Sequence, residues 1–229
     1  MTSLAKNLRV LIVYWHPEPK SFNGALFCQS IATLSEKGHE VKTSDLHAMK
    51  FDPVSGRHNF ATTLDPYYFK QQLEEMHATD HHGFAADLEE EMQKLEWADL
   101  LIVQCPLWWF SVPAMIKGWF DRVLAMKRFY GGSKLYKGAD VGKKALLSIT
   151  TGGPENSYMP SEDAFNGDIR GILRPLHRGI FEFCGYTVLA PHIVYSPVRI
   201  TADQRTEELL KWQTRLTTIE HESAYEVGR

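Results

Sequence analysis

A chain of 229 residues with a net charge of −3 and no long run of either sign lacks the electrostatic footprint of a nucleic-acid or anionic-membrane binder. Its 44% hydrophobic and 23% charged residues are ordinary for a globular protein, and no stretch approaches the roughly 18 apolar residues of a membrane span. Cys28, Cys105 and Cys184, odd in number and far apart, suit a reducing cytoplasm and neither a disulfide framework nor a cysteine zinc site.

The opening residues place one Lys and one Arg before a short apolar run, but Trp15-His16-Pro17-Glu18 stands where a leader needs small residues, so the run reads as a strand. Arg9 to Trp15 has the β-branched, apolar pattern of a strand buried on both faces of a parallel sheet. Ser21 to Gly24 supply helix-start side chains, and Leu26, Ile31 and Leu34 predict a helix ending before Gly38. His39 to Leu46 alternates as a second strand. From His47 to about Ala86 the chain is rich in His, Asp and Tyr and weakly periodic, too long for a plain loop, and is expected to hold short helices. Leu88 to Ala98 is a helix with Leu88, Met92 and Leu95 on one face, running into strand Asp99 to Cys105. An aromatic loop with Trp108, Trp109 and Phe110 in a row precedes a helix over Pro113 to Met126. Lys143 to Thr150 is a fourth strand, Ile169 to Cys184 a helix with an internal Pro175, and Tyr186 to Tyr195 the last strand region. Thr201 caps an amphipathic closing helix that runs to Ile219. No repeat, low-complexity tract or linker divides residues 1–229, which read as one domain.

Five strands alternating with helices imply an α/β fold, a doubly wound five-stranded parallel sheet with helices on both faces. Ligands in such folds bind outside the carboxyl ends of the strands, at the switch point. Three segments leave those ends: His16 to Ala25, Pro106 to Ala114, and Thr150 to Tyr158. The first puts Ser21, Phe22 and Asn23 at a helix start, where backbone N–H groups and the helix dipole attract anions. It has neither the P-loop pattern nor G-x-G-x-x-G, and a capped helix explains it equally well. Thr150-Thr151-Gly152-Gly153 lets a flat ring approach the main chain, or is a simple turn. The aromatic trio either plugs a core or, lying in a loop, stacks on a flat amphipathic ligand such as a flavin.

Taken together, Leu11 to Leu26, Ser44 to Met49, Trp97 to Leu124, Leu146 to Gly153, Asn166 to Asp168 and Phe181 to Pro191 resemble the flavodoxin-fold NAD(P)H dehydrogenases (quinone). The resemblance is nearest to the shorter branch that oxidises ribosyldihydronicotinamide, and Trp-Phe-x-Val-Pro-Ala-x-x-Lys-Gly-Trp over Trp109 to Trp119 is its most specific part. It implies a two-fold homodimer with FAD at the strand ends, FMN being the lesser alternative. By position, the FAD contacts are His16, Phe22, Asn23, Gly24 and Ala25, with Leu107, Trp108, Trp109 and Phe110 against one side of the ring. Thr150, Thr151, Gly152 and Gly153 take its other side, and Tyr158 and Arg205 complete the set. Trp109, Phe110, Tyr130 and a partner's Phe183 line the substrate pocket, and Tyr158 with Asn166 is the catalytic pair. The implied activity is transfer of two electrons from NAD(P)H or another dihydronicotinamide to quinones, by a ping-pong cycle in the cytoplasm, with no nucleic-acid or membrane partner. The alternative is a flavin-binding ancillary subunit of a glutathione-gated potassium efflux system.

Three features depart from the family pattern. The segment from Tyr130 to Val141 differs in composition, leaving the pocket rim and quinone preference open. The loop from Tyr158 to Asp168 is two residues longer and ends in Asn166, where longer family members have His. Arg178 and Glu182 occupy the places of the two His of a metal site found in the shorter branch, so no metal is expected there. His77, Asp80, His81 and His82 have ligand-like spacing but read as a solvated polar face.

Overall fold

The computed structural model describes residues 7–131, 135–136, 142–161 and 165–227. Residues 1–6, much of the segment from 130 to 141, and 162–164 in the loop before Asn166 therefore lie outside the described residues. Strands β1 (Arg9–Tyr14), β2 (Glu40–Asp45), β3 (Leu100–Pro106) and β4 (Lys144–Thr151) are joined in parallel. The last strand region is broken into β5 (Thr187–Val188) and β6 (His192–Tyr195). Both pair in parallel with β4, β5 at Lys144 and Ala145 and β6 from Ser148 to Thr151, so they occupy successive lengths of one edge. Pro191 stands at the break and has no N–H to give the ladder. The order β2-β1-β3-β4-β5 is the flavodoxin-like one, with its switch point between β1 and β3.

Side chains alternate between two cores because successive residues of a strand point to opposite faces. Leu11, Val13, Leu101, Val103 and Leu147 join the core under α3 (Ala86–Trp97), α4 (Ala114–Val123) and α5 (Ile169–Leu176). Val10, Ile12, Leu100, Ile102 and Leu146 join the core under α1 (Phe22–Glu36) and α6 (Ala202–Leu216). Burial on both faces is why these strands read as unbroken apolar runs. Ser21 caps α1 by accepting from Gly24 N–H, and Thr201 with Gln204 forms a reciprocal capping box on α6. The two helices are pinned together by Trp212 Nε1, which donates to Ser30 Oγ at 2.8 Å.

The polar stretch holds a 3-10 turn over Arg57–Asn59 and α2 (Gln71–His81), as its length required. The helix from Ile169 changes its winding after Pro175, passing from α5 into a π-helical turn over His177–Glu182. Proline removes one helical donor and crowds the preceding turn, which marks where regular winding stops.

Candidate active site

All three loops converge. Asn23 Nδ2 donates to Thr150 Oγ1 at 2.7 Å, joining the start of α1 to the end of β4. Leu107 N–H donates to Thr150 O at 2.8 Å, joining the aromatic loop to the same residue. Trp15 meets Trp108 edge-on at 5.1 Å between ring centroids, joining the first loop to the second. His16 Nδ1 lies 3.0 Å from Glu18 N–H, folding the first loop on itself. Gly24 is required here, because a Cβ on it would stand 2.0 Å from Pro19 O. Phe22 and Ala25 are half-buried beside the fully covered Asn23.

The aromatic loop is not a core plug. Trp109 is 95% exposed, with Phe110 and Trp108 about half exposed. Trp108 and Ser111 exchange backbone hydrogen bonds of 2.9 and 3.0 Å, closing a two-residue hairpin turn. Its central residues Trp109 and Phe110 have φ of 51° and 57°, a left-handed conformation that glycine or asparagine normally supplies. Aromatic residues held there cost on the order of 1–3 kcal/mol each. Strain of that size, spent on presenting two rings to solvent, fits a flat ligand that covers them.

At the end of the adjacent strand β4, Gly152 has no atom of the described residues within 4 Å of where a Cβ would stand. Thr151 Oγ1 donates to Gly153 O at 2.7 Å and Ser196 Oγ to Gly152 O at 3.2 Å, so the glycine turn is held firmly while its outer face stays bare. A Cβ at Gly153 would lie 3.0 Å from Asn166 Nδ2 and 3.3 Å from the Tyr158 hydroxyl. The two catalytic candidates, eight residues apart in sequence, therefore close over one glycine. Asn166 is fastened there by its N–H donating to Ser157 O at 2.8 Å, and the buried Tyr158 ring packs 5.8 Å from that of Tyr195. Burial pushes the Tyr195 hydroxyl up to about 12, so it stays protonated beside Tyr158. Arg205 reaches back to Ile200 O at 2.7 Å and Pro197 O at 3.3 Å, tying α6 to the loop after β6. Open glycine backbone, an exposed aromatic turn and a helix start meeting at one switch point fit a flavin with its phosphate at α1.

Tyr130 and Phe183 lie elsewhere, side by side with ring centroids 5.7 Å apart. They line a cavity of about 580 Å³ with Gln72, Glu75, Phe120 and Ile180. Tyr130 and Phe183 are thus neighbours within one chain, so Phe183 of a second copy would bring that copy's Tyr130 with it. Glu74 and Glu75 in α2 carry no sequence signal of their role, because nothing in a polar, weakly periodic stretch marks a carboxylate as buried. Glu75 accepts from Met126 N–H at 2.7 Å and from Gln71 Nε2 at 2.9 Å, and burial raises its carboxyl. It thereby holds the chain segment that carries Tyr130. Glu74 accepts from Leu64 N–H at 2.7 Å and Asp65 N–H at 3.1 Å, fixing the tip that exposes Tyr67 and Tyr68. Arg178 and Glu182 form an ion pair of 2.7 Å, and the Arg178 guanidinium lies 4.1 Å from the Tyr136 ring. Among the described residues no group of three or more metal-ligating side chains comes together, and no helix is long and apolar enough to cross a membrane.

Comparison with known proteins agrees with this geometry. Residues 8–216 match the family described as having a flavodoxin-like fold. The human ribosyldihydronicotinamide dehydrogenase [quinone] is 42% identical over 213 residues, 92% of this chain and 91% of its own. The guinea-pig (Cavia porcellus) NAD(P)H dehydrogenase [quinone] 1 is 43% identical over 92% of this chain and 77% of its own. A Klebsiella pneumoniae crystal structure provisionally named a quinone reductase superposes with a TM-score of 0.89 at 36% identity, covering 95% of this chain and 87% of its own. Strand order, converging loops and these likenesses agree: the chain belongs to the NAD(P)H dehydrogenase (quinone) family of flavodoxin-like oxidoreductases.

Proposed function

We propose that the protein transfers two electrons from NAD(P)H or another dihydronicotinamide to quinones through bound FAD, in a ping-pong cycle, as a cytoplasmic homodimer. The observation that carries this reading is the strained, exposed Trp109-Phe110 turn at the end of β3, next to the end of β4 that leads into Gly152. When bound, the flavin would supply the two-electron redox chemistry between dihydronicotinamide and quinone. The chain's own residues bind, orient and donate. Phe22 to Ala25 offer the α1 N-terminus to the phosphates, and Arg205 is the cation that the family resemblance adds to the same set. Trp108, Trp109, Phe110 and Leu107 hold the ring from one side, and Thr150 to Gly153 from the other. The Tyr158 hydroxyl, aided by Asn166 Nδ2, donates toward the negative charge that develops during reduction. Tyr130 and Phe183 of a neighbouring copy close the substrate pocket over Trp109 and Phe110.

The ancillary-subunit reading is the weaker one. Likeness to the quinone dehydrogenases extends over 92% of the chain, and the family match over residues 8–216 spans all three site loops. The deciding experiment is to release and identify the flavin from the purified protein and to measure dihydronicotinamide-dependent quinone reduction. Bound FAD with rapid turnover supports the proposal, whereas flavin-loaded protein that does not turn over quinones with any dihydronicotinamide refutes it.

A further inference from the structure

We infer that Ser196 is a positioning residue that orients the Gly152-Gly153 backbone so that its N–H groups can donate to the bound flavin. Ser196 lies outside the contacts that the family resemblance implies, and the inference rests on the flavin reading above. It follows β6 directly and is 4% exposed. From there it ties the exit of β4 twice: its N–H donates to Thr151 O at 3.0 Å and its Oγ to Gly152 O at 3.2 Å. Thr151 Oγ1 takes the next carbonyl, Gly153 O, at 2.7 Å. Three successive carbonyls are thereby bound to protein donors. Across a planar trans peptide, the C=O of one residue and the N–H of the next point in opposite directions. The peptides here are trans, so tying Thr151 O and Gly152 O to Ser196 turns the N–H groups of Gly152 and Gly153 away from it. Neither N–H meets an acceptor among the described residues. Pro154 has no N–H, so these two are the only donors that the three tied peptides offer.

The backbone at Ser196 is an independent sign. Its φ is 48°, in the left-handed region that glycine adopts without steric cost and serine does not. A turn that served only to leave β6 is met best by glycine. Serine keeps the strain and adds one group, the hydroxyl, whose bond goes to Gly152 O. Arg199 N–H donates to Ser196 O at 2.8 Å and holds the conformation from the far side. Strain retained in this way is typical of residues that preorganise a functional site. Backbone donors stabilise developing negative charge when they are already aimed, and a peptide free to rotate gives up part of that gain. Acting through Gly152, Ser196 therefore raises the reduction potential of the bound flavin.

The test is a spectroscopic redox titration of the full chain loaded with FAD, with melting temperatures measured alongside, for wild type, Ser196→Ala and Ser196→Gly. Both variants should lower the preference for reduced over oxidised FAD about tenfold, a fraction of the roughly 10²–10³ that one preorganised donor is worth. For a two-electron couple that is a fall of about 30 mV. The two variants lose the same hydroxyl but differ in strain, so Ser196→Gly should melt above Ser196→Ala while their potentials coincide. A merely structural serine predicts potentials that stay at the wild-type value or track the melting temperatures, and either result overturns the positioning role. Wild-type protein that takes up no FAD refutes the flavin reading itself and this inference with it. FAD-loaded variants with unmoved potentials remove only the role of Ser196.

Discussion

Trp109 and Tyr158 show how differently two site residues are held. Trp109 is almost fully exposed among the described residues and sits at a φ that disfavours it. Trp109→Gly therefore should hold or raise the melting temperature, since glycine relieves a left-handed position at little steric cost. The same change should lower flavin occupancy, because a large ring beside the cofactor is lost. A drop in stability with normal flavin content contradicts the ligand-facing role. Tyr158 is buried and shares its place over Gly153 with Asn166. Tyr158→Phe should slow stopped-flow flavin reduction by up to roughly 10²–10³-fold, the cost of one preorganised donor at a strong site. An amide neither gains nor loses a proton near neutrality, so the rate should be flat between about pH 6 and 8 in the wild type. Asn166→His should introduce a step near pH 6.5. A reductive half-reaction as fast in Tyr158→Phe as in wild type removes its catalytic role.

At the scale of elements, α2 acts as a clamp on two loops, and its carboxylates do the holding. Removing Glu75 leaves Met126 N–H without its acceptor and takes one of two acceptors from Gln71 Nε2, which keeps Asp121 O. Glu75→Leu should cost about 1–3 kcal/mol of stability for the stranded donor, measured by denaturant unfolding. Glu75→Gln keeps a carbonyl oxygen for Met126 and should recover most of it. If the held segment matters for substrate, Glu75→Leu should also raise the quinone KM while leaving flavin content unchanged. An unaltered midpoint refutes the clamp. Regular elements with apolar periodicity are legible in the chain: β1, β3, β4, α3, α4 and α6 all fall where the pattern places them. α2 is legible only as one of the short helices expected between His47 and Ala86, its bounds unmarked because its buried face is partly carboxylate. The break between β5 and β6 and the π turn after Pro175 depend on how the edge and the helix end dock, which periodicity does not encode.

For the molecule as a whole, two buried histidines set the response to acid. Burial lowers His177 and His192 to about 4, with Arg215 and Lys211 adding to the shift at His192. Between pH 6.5 and 4 the unfolded chain binds protons that the folded chain refuses, so stability rises with pH across that window. Each shift from 6.5 to about 4 corresponds to about 3 kcal/mol, fully present above 6.5 and lost as pH falls through 4. Among the described residues His177 Nε2 has no hydrogen-bond partner, and the ring lies among Phe181 and Tyr225, so His177→Phe should flatten the decline in melting temperature between these pH values. An identical slope in the variant shows that the ring is not held neutral. Assembly is the other whole-molecule question. The Tyr130–Phe183 pair lies in a cavity distinct from the Trp109 turn, so the proposed pocket needs a second copy to bring them together. Light scattering should give a dimeric mass, and a fully active monomer rules the shared pocket out.

The chain's pattern alone determines the sheet, its parallel sense and the three loops at its carboxyl edge, because apolar runs, caps and glycines are local signals. Only the tertiary structure decides that Asn23 reaches Thr150 across 127 residues, that Tyr158 and Asn166 meet over Gly153, and that the aromatic trio faces solvent rather than the core. It also decides that Glu75 is buried and that the His77 and His81 rings stack. The reason is physical: side-chain burial and proximity depend on which elements pack together, and a residue's own neighbours in sequence carry almost none of that information.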